Sequence, residues 1–146
     1  MAAPEWVSVA DVLLKIGIAY LLALPVAWDR EQKGRSAGLR TFPLVATAAT
    51  GYMLLAGSLY ASSAEAQARV LEGLITGIGF IGGGAILRDR GSVHGTATAA
   101  SIWATAAIGA ATAYGRYEIA VLLSAINFAT LRLLTQLKTS DTEDMA

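Results

Sequence analysis

The sequence contains no cysteine and a single histidine, His94. The lack of cysteine excludes disulfides, thiolate metal sites and cysteine nucleophiles, and it leaves the redox compartment undetermined. One histidine also excludes a metal site built from several histidines of one chain. Charge is scarce, because only 15% of the 146 residues are charged and the formal net charge is zero. No overall field therefore directs the chain toward nucleic acid, and no nucleic-acid partner is predicted.

Apolar residues are what the sequence has in excess: 55% of the chain is hydrophobic and the mean hydropathy is +0.53. A soluble domain of this length could not bury that much apolar surface. Apolar stretches long enough to cross about 30 Å of hydrocarbon occur five times, at 12–28, 42–60, 70–87, 97–114 and 117–134. We therefore predict an all-α, polytopic membrane protein with about five transmembrane helices and the lipid bilayer as its surroundings.

The last two stretches are separated only by Gly115 and Arg116. They could form a tight hairpin of two spans or a less regular re-entrant pair, and two spans are favoured. The first stretch is expected to be a retained span rather than a cleaved signal peptide, because the leader before it carries Glu5 and no basic residue.

Basic residues predict the orientation, because positively charged short loops stay in the cytoplasm. With five spans, Arg69 and Arg116 fall on one side, and Lys15 lies just inside the same end of helix 1. The opposite side carries Arg30, Lys33, Arg35, Arg40, Arg88, Arg90, Arg132 and Lys138. The prediction is N-out and C-in, with an extracytoplasmic segment at 1–11, a transmembrane domain at 12–134 and a short cytoplasmic tail at 135–146.

Glycines recur along the third predicted helix, where Gly73 and Gly77 are four residues apart, as are Gly79 and Gly83. Small residues at this spacing let a neighbouring helix backbone approach closely. Gly82, Gly83 and Gly84 follow one another, and glycine permits unusual backbone angles. We expect these glycines to be helix-packing positions; the alternative is an unwound segment that contacts ions.

The loop between helices 1 and 2 places charges against the local helix dipoles. Asp29 and Glu31 lie at the C-terminal end of helix 1, where anions are disfavoured, and Arg40 precedes helix 2, where cations are disfavoured. These charges should therefore have partners elsewhere, and Thr41 is expected to cap helix 2. We predict a cytoplasmic charge cluster of Asp29, Arg30, Glu31, Arg40 and Arg88. The alternative is that they are solvated charges that only set topology.

Three polar side chains are expected inside or near the bilayer: Lys15, Glu72 and Asn127. Lys15 and Glu72 lie at similar depth near the outer ends of helices 1 and 3, so they should pair or extend to the interface. Two unrelated interfacial charges are the alternative. Asn127 is the one strongly polar side chain near the middle of helix 5.

Several motifs in order resemble the MgtC/SapB family of bacterial inner-membrane proteins, over roughly 13–134. They are Asp29-Arg30-Glu31, Ser-Ala-Gly-Leu-Arg-Thr at 36–41, Gly-Ile-Gly-Phe-Ile-Gly-Gly-Gly at 77–84, Thr-Ala-Ala-Ser-Ile-Trp at 98–103 and Ala-Ala-Ile-Gly at 106–109. The resemblance implies a multi-pass protein of the bacterial inner (plasma) membrane, associated with magnesium limitation, intracellular survival or acid stress.

The chain departs from the family pattern at two places. Asp29-Arg30 stands where the family usually has Glu-Arg, which keeps the charge. The sequence at 95–100 is Gly-Thr-Ala-Thr-Ala-Ala instead of Gly-Leu-Thr-Thr-Ala-Ala, which changes the entrance to helix 4. The chain resembles the short, SapB-like form, so an activity housed in the soluble C-terminal domain of MgtC-type proteins is not expected here.

Two functions of different class follow. The first is a non-enzymatic protein that regulates magnesium, ion or energy homeostasis under stress by binding other membrane proteins. The second is a cation (magnesium) transporter or channel, which should place acids inside the bilayer. Enzymatic catalysis is not expected, because no nucleophile with an adjacent base can be assembled from the spacing. No cofactor is predicted, and magnesium enters only as a conceivable ligand.

Assembly is the last expectation: a homodimer or small homo-oligomer. Helix 3 is expected to be used inside the protomer, which leaves a face of helix 4 or 5 for association. That face comprises Ala104, Ile108, Leu123 and Asn127. A two-fold interface would let Asn127 meet its copy. The alternative is a monomer in which Asn127 bonds to a neighbouring helix.

Overall fold

The computed structural model describes residues 9–34, 37–89 and 92–143, with side chains described over 9–34, 37–87 and 93–133. Five helices are present in this part of the chain, which confirms the predicted number of helices. They are α1 (Val9–Gln32), α2 (Thr41–Leu59), α3 (Ala64–Gly84), α4 (Thr96–Ala113) and α5 (Tyr117–Glu143). Two of the described helices, α1 and α2, are long and apolar enough to cross a membrane.

A short antiparallel hairpin between α3 and α4 was not predicted. Its strands are β1 (Leu87–Asp89) and β2 (Ser92–His94), with Leu87 opposite His94. The prediction of helix through residue 87 is wrong because α3 ends at Gly84, after three successive glycines that weaken the helix. Gly95 has φ +88°, and a Cβ there would strike the carbonyl of Ala85, so a glycine closes the hairpin against α4.

Helix α4 lies at the centre of the bundle and packs against each of the other four helices. It buries ten residues, whereas α3 buries only Ile78 and Gly82. Helix α3 does pack inside the protomer, against α4 and α2, but α4 and not α3 is the central helix. The reason is in the side chains of α4, which are mostly Ala, Ser, Thr and Gly and leave room for a neighbour on every side.

Close helix packing depends on small residues of α1, α2 and α4. On α1, Ala19, Ala23 and Ala27 are four residues apart and fully buried. On α4, Gly109 faces α2 so closely that an added Cβ would lie 2.9 Å from the Cβ of Ala49. The hydroxyl of Thr50 donates to the carbonyl of Gly109 at 3.0 Å across the same contact. These contacts hold α1, α2 and α4 as one unit.

Candidate functional site

A buried charge cluster lies at the C-terminal end of α1. The Asp29 carboxylate accepts from Nη2 of Arg30 at 2.9 Å, and its other oxygen lies 2.9 Å from Nζ of Lys33. Asp29 is 2% exposed and Arg30 is 4% exposed, so both charges are almost entirely removed from water. A carboxylate this buried needs cationic partners, and Asp29 has two.

Lys33 connects this cluster to α5. Its Nζ also donates to the main-chain carbonyl of Leu131 at 3.0 Å. Leu131 is buried and belongs to the same apolar core as Ala27 and Ala37. The end of α1 is therefore tied to the last helix through one ammonium group. Lys33 was not among the predicted cluster residues, although its position one turn after Asp29 was a signal in the sequence.

Glu31 serves a different contact. Its Oε2 accepts from the backbone N–H of Leu39 at 3.0 Å, and it lies against Gly38. The carbonyl of Gly38 in turn accepts from the N–H groups of Thr41 and Phe42. The N-terminus of α2 is closed in this way, and a carboxylate there suits the helix dipole. Thr41 is the first residue of the helix rather than its cap, so the predicted cap is wrong.

Arg40, another predicted member of the charge cluster, does not join Asp29. Arg40 is exposed and has no ion-pair partner among the described side chains. The side chain of Arg88 lies outside the described residues. Asp29, Arg30 and Lys33 therefore form the charge cluster of this structure.

Most of the predicted packing glycines face open space in the single chain. A Cβ added at Gly73, Gly77, Gly79, Gly83 or Gly84 would meet no atom within 4 Å. Gly82 differs, because its Cβ would lie 3.3 Å from the carbonyl oxygen of Ala99 on α4. Five of the six therefore do not make the close contact that their spacing predicts. The alanines of α1, which are also four residues apart, make the close helix contacts instead, and they were not predicted.

Lys15 and Glu72 do not pair. Nζ of Lys15 lies 3.1 Å from Oδ2 of Asp11, one turn earlier on the same helix. Glu72 is exposed on α3. The i, i+4 partner on α1 is available to Lys15 without any approach of α3, which explains the difference.

Asn127 is 8% exposed and its Nδ2 lies 3.3 Å from the carbonyl of Ser101 on α4. Its neighbour one turn earlier, Ser124, donates to the carbonyl of Leu22 at 2.7 Å. Pro25 has no N–H to donate to the carbonyl of Leu21, the neighbour of Leu22, and a hydroxyl from another helix can serve backbone acceptors in such a turn. Both polar groups of α5 thus bond neighbouring helices of the same chain.

The predicted association face is partly buried. Ile108 is fully buried and Asn127 nearly so, while Leu123 and Ala104 are half-buried. The most exposed large apolar residues of α5 are Leu122, Ile126 and Leu133, and Ile119 and Val121 are exposed as well. The outward face is thus displaced by one residue from the predicted stripe, which is about 100° around a helix of 3.6 residues per turn.

No group of three or more His, Cys, Asp or Glu side chains lies together in the described part of the chain. The described carboxylates instead have cations or an N–H as partners, with Glu72 exposed. Asp29 contacts Arg30 and Lys33, Glu65 contacts Arg69, and Glu118 contacts Arg116.

A comparison with protein families shows which family this chain is related to, because the model of the MgtC family matches residues 16–140. The chain belongs to the MgtC family. Among its relatives, the "Putative magnesium transporter YhiD" of Escherichia coli K12 is 30% identical over 134 residues, which is 88% of this chain and 62% of that protein. "Protein MgtC" of Salmonella typhimurium LT2 is 35% identical over 114 residues, 78% of this chain and 48% of that protein.

The chain thus spans between about half and two thirds of the length of these MgtC-family relatives. The family model covers Asp29, Arg30 and Lys33. No solved structure matches the chain.

Proposed function

We propose that the chain is a multi-pass protein of the bacterial inner membrane, with five spans, N-out and C-in. Support comes from the surface, because every helix exposes large apolar side chains. Examples are Leu21 on α1, Leu55 on α2, Phe80 on α3, Trp103 on α4 and Ile126 on α5. A soluble monomer rarely exposes contiguous apolar surface on this scale. Polar side chains inside the bundle bond between helices, as lipid surroundings require.

The function that we propose is non-enzymatic regulation of magnesium, ion or energy homeostasis under stress, through contacts with other membrane proteins. The observation that carries this is the state of Asp29. Its carboxylate is buried and already shared between Arg30 and Lys33, so the cluster has one anion and two cations. Such a cluster fixes the geometry of a cytoplasmic surface and has no free acid for catalysis or for an incoming cation.

Magnesium transport is the second candidate, and the name of the Escherichia coli relative favours it. Mg²⁺ is bound by carboxylate oxygens and keeps most of its water. To bind at Asp29 it would have to displace Arg30 and Lys33 from a buried site. Within the bundle, the Asn127 amide donates to Ser101. These residues do not suit a resident magnesium ion, and the electrostatics of the cluster disfavour a passing one.

Assembly into a homodimer stays part of the proposal, with a changed face. The outward side of α5 offers Leu122 and Ile126, both 60% exposed. The small residue Ala125 lies exposed between them and would let two helices approach.

The proposed regulatory role is tested by expressing the wild type and Arg40→Gln in cells that lack the gene and growing them with limiting magnesium. Arg40 is exposed, so its loss should leave membrane insertion intact. Growth is expected to fail with Arg40→Gln. Growth should be normal with Arg69→Gln, which changes another exposed arginine, on α3. Normal growth of Arg40→Gln would show that the proposed cytoplasmic surface around Arg40 is not needed for the function.

A further inference from the structure

An apolar groove lies between α2 and α3. Helix α3 packs against α4 more extensively than against α2, and the space left open has a volume of about 820 Å³. Leu44 and Tyr52 line one wall, and Leu74 and Ile78 line the other. Sites for small ligands commonly enclose about 300–1,000 Å³, so the groove is large enough for a molecule of that class.

Glycines make the groove wide. Gly73 and Gly77 line the α3 wall, and a Cβ at either position would meet nothing within 4 Å. Gly79, on the same helix, also faces open space but does not line the groove. The two groove glycines are therefore not used for contact with a helix of this chain.

The length of the groove matches one leaflet of a bilayer. Its α2 wall runs from Thr41 to Tyr52, which is about 16 Å at ~1.5 Å per residue. Half of a hydrocarbon core of about 30 Å is about 15 Å. With Arg40 at the cytoplasmic surface, the groove extends to about the middle of the membrane.

Arg40 lies at the surface end of this groove. It is exposed and has no ion-pair partner among the described side chains. A guanidinium group binds phosphate oxygens through two parallel hydrogen bonds. An apolar channel with a free cation at its mouth is complementary to a molecule with an acyl chain and an anionic head.

We propose that this groove binds one anionic phospholipid of the cytoplasmic leaflet, with an acyl chain between α2 and α3 and the phosphate on Arg40. The inference rests on the proposed membrane placement and adds a ligand to it. Because α3 contacts α2 only weakly, the bound chain would set the separation of these two helices. The separation of α2 and α3 would then depend on the anionic lipid at the inner surface.

Native mass spectrometry of the full chain tests this proposal. The chain is reconstituted in nanodiscs with equal phosphatidylglycerol and phosphatidylcholine of the same acyl chains, then released into mild detergent. One retained phosphatidylglycerol per chain is expected, with a preference of about fivefold over phosphatidylcholine, which corresponds to about 1 kcal/mol for one arginine near anionic lipid.

Two kinds of variant test the contact with the lipid headgroup and the contact with the acyl chain separately. Arg40→Gln should retain both lipids equally, and Gly77→Leu should retain neither; Gly73→Leu is a second groove variant should Gly77→Leu not fold. Arg69→Gln and Gly79→Leu are the matched controls and should behave as the wild type. Circular dichroism and size exclusion establish that each variant is folded.

The proposal would be overturned if both folded groove variants retained lipid, or if Arg69→Gln lost the preference for phosphatidylglycerol as fully as Arg40→Gln. It would also be overturned if inorganic phosphate alone displaced the lipid, or if the wild type had the mass of a dimer that Gly77→Leu converted to monomer. The last two results would identify a phosphate site and a helix interface. Failure of the chain to enter nanodiscs at all would instead contradict the membrane placement.

Discussion

Lys33 lies one helical turn after Asp29, and its Nζ is 2.9 Å from the Asp29 carboxylate. The same nitrogen reaches the carbonyl of Leu131, so the pair connects the end of α1 to α5. Because the Lys33 ammonium group contacts both helices, Asp29 holds in place a contact between α1 and α5. Loss of the Asp29 charge should therefore destabilise the packing of α5 as well as the end of α1.

The first prediction is that Asp29→Asn destabilises the fold by about 3–5 kcal/mol, because it leaves buried Arg30 without a counter-charge. Thermal unfolding in detergent, followed by circular dichroism, measures the change. Glu65→Gln is the matched control, since it removes another i, i+4 pair whose side chains are 75% and 78% exposed. That control should change stability by about 0.5 kcal/mol or less. Equal effects of the two variants would show that burial of the cluster has no energetic consequence.

The second prediction concerns Gly109. Gly109→Ala places a methyl group 2.9 Å from Ala49 and against the Ala46 backbone, so α2 and α4 must separate. A loss of about 1–3 kcal/mol is expected, as for other overpacked contacts. Gly73→Ala should be neutral or slightly stabilising, because its Cβ has free space and alanine favours a helix by about 1 kcal/mol over glycine. Thermal unfolding of both proteins decides, and a stable Gly109→Ala variant would contradict the observed helix approach.

The third prediction addresses assembly. Single cysteines at Leu122 and Ile126, which are exposed on α5, should crosslink to a second copy in native membranes. Cysteines at Leu123 and Asn127 should not, since these positions face the protomer. A crosslink pattern centred on Asn127 would restore the interface predicted from sequence, and the absence of crosslinks along the helix would favour a monomer.

The fourth prediction is that Asn127→Ala costs only about 0.6 kcal/mol, a typical value for an interhelical hydrogen bond in a membrane protein. The bond from Asn127 Nδ2 to the carbonyl of Ser101 is long, at 3.3 Å. Ser124→Ala, which removes a 2.7 Å bond to Leu22, should cost more. Unfolding of the two variants under the same conditions gives the comparison, and the reverse order would contradict it.

The sequence predicted the helices well, because apolar stretches and their flanking charges are local signals. It predicted the packing poorly. Glycine spacing identified α3 as the packing helix, yet spacing does not tell which face meets a neighbour, and α4 occupies the centre instead. Alanines at 19, 23 and 27 carried the same spacing on α1.

For the candidate site, Asp29 could be predicted because its charge opposes the helix dipole at the end of α1, and Arg30 because it lies beside Asp29 in the sequence. Lys33 was counted only as a topology charge, since nothing local indicates that its ammonium group reaches Leu131 on α5. The partner of Glu31 could not be predicted from the sequence either. It is the backbone N–H of Leu39, and a backbone N–H is present almost whatever the side chain.

We propose that the chain regulates magnesium homeostasis and does not itself carry the ion. Purified protein in liposomes that contain a magnesium-sensitive dye tests it most directly, with a magnesium ionophore as the positive control. For the wild type, we expect no Mg²⁺ entry above that of empty liposomes, with or without a membrane potential. Magnesium entry that the wild type supports and that a folded Asp29→Asn or Glu72→Gln variant loses would contradict it.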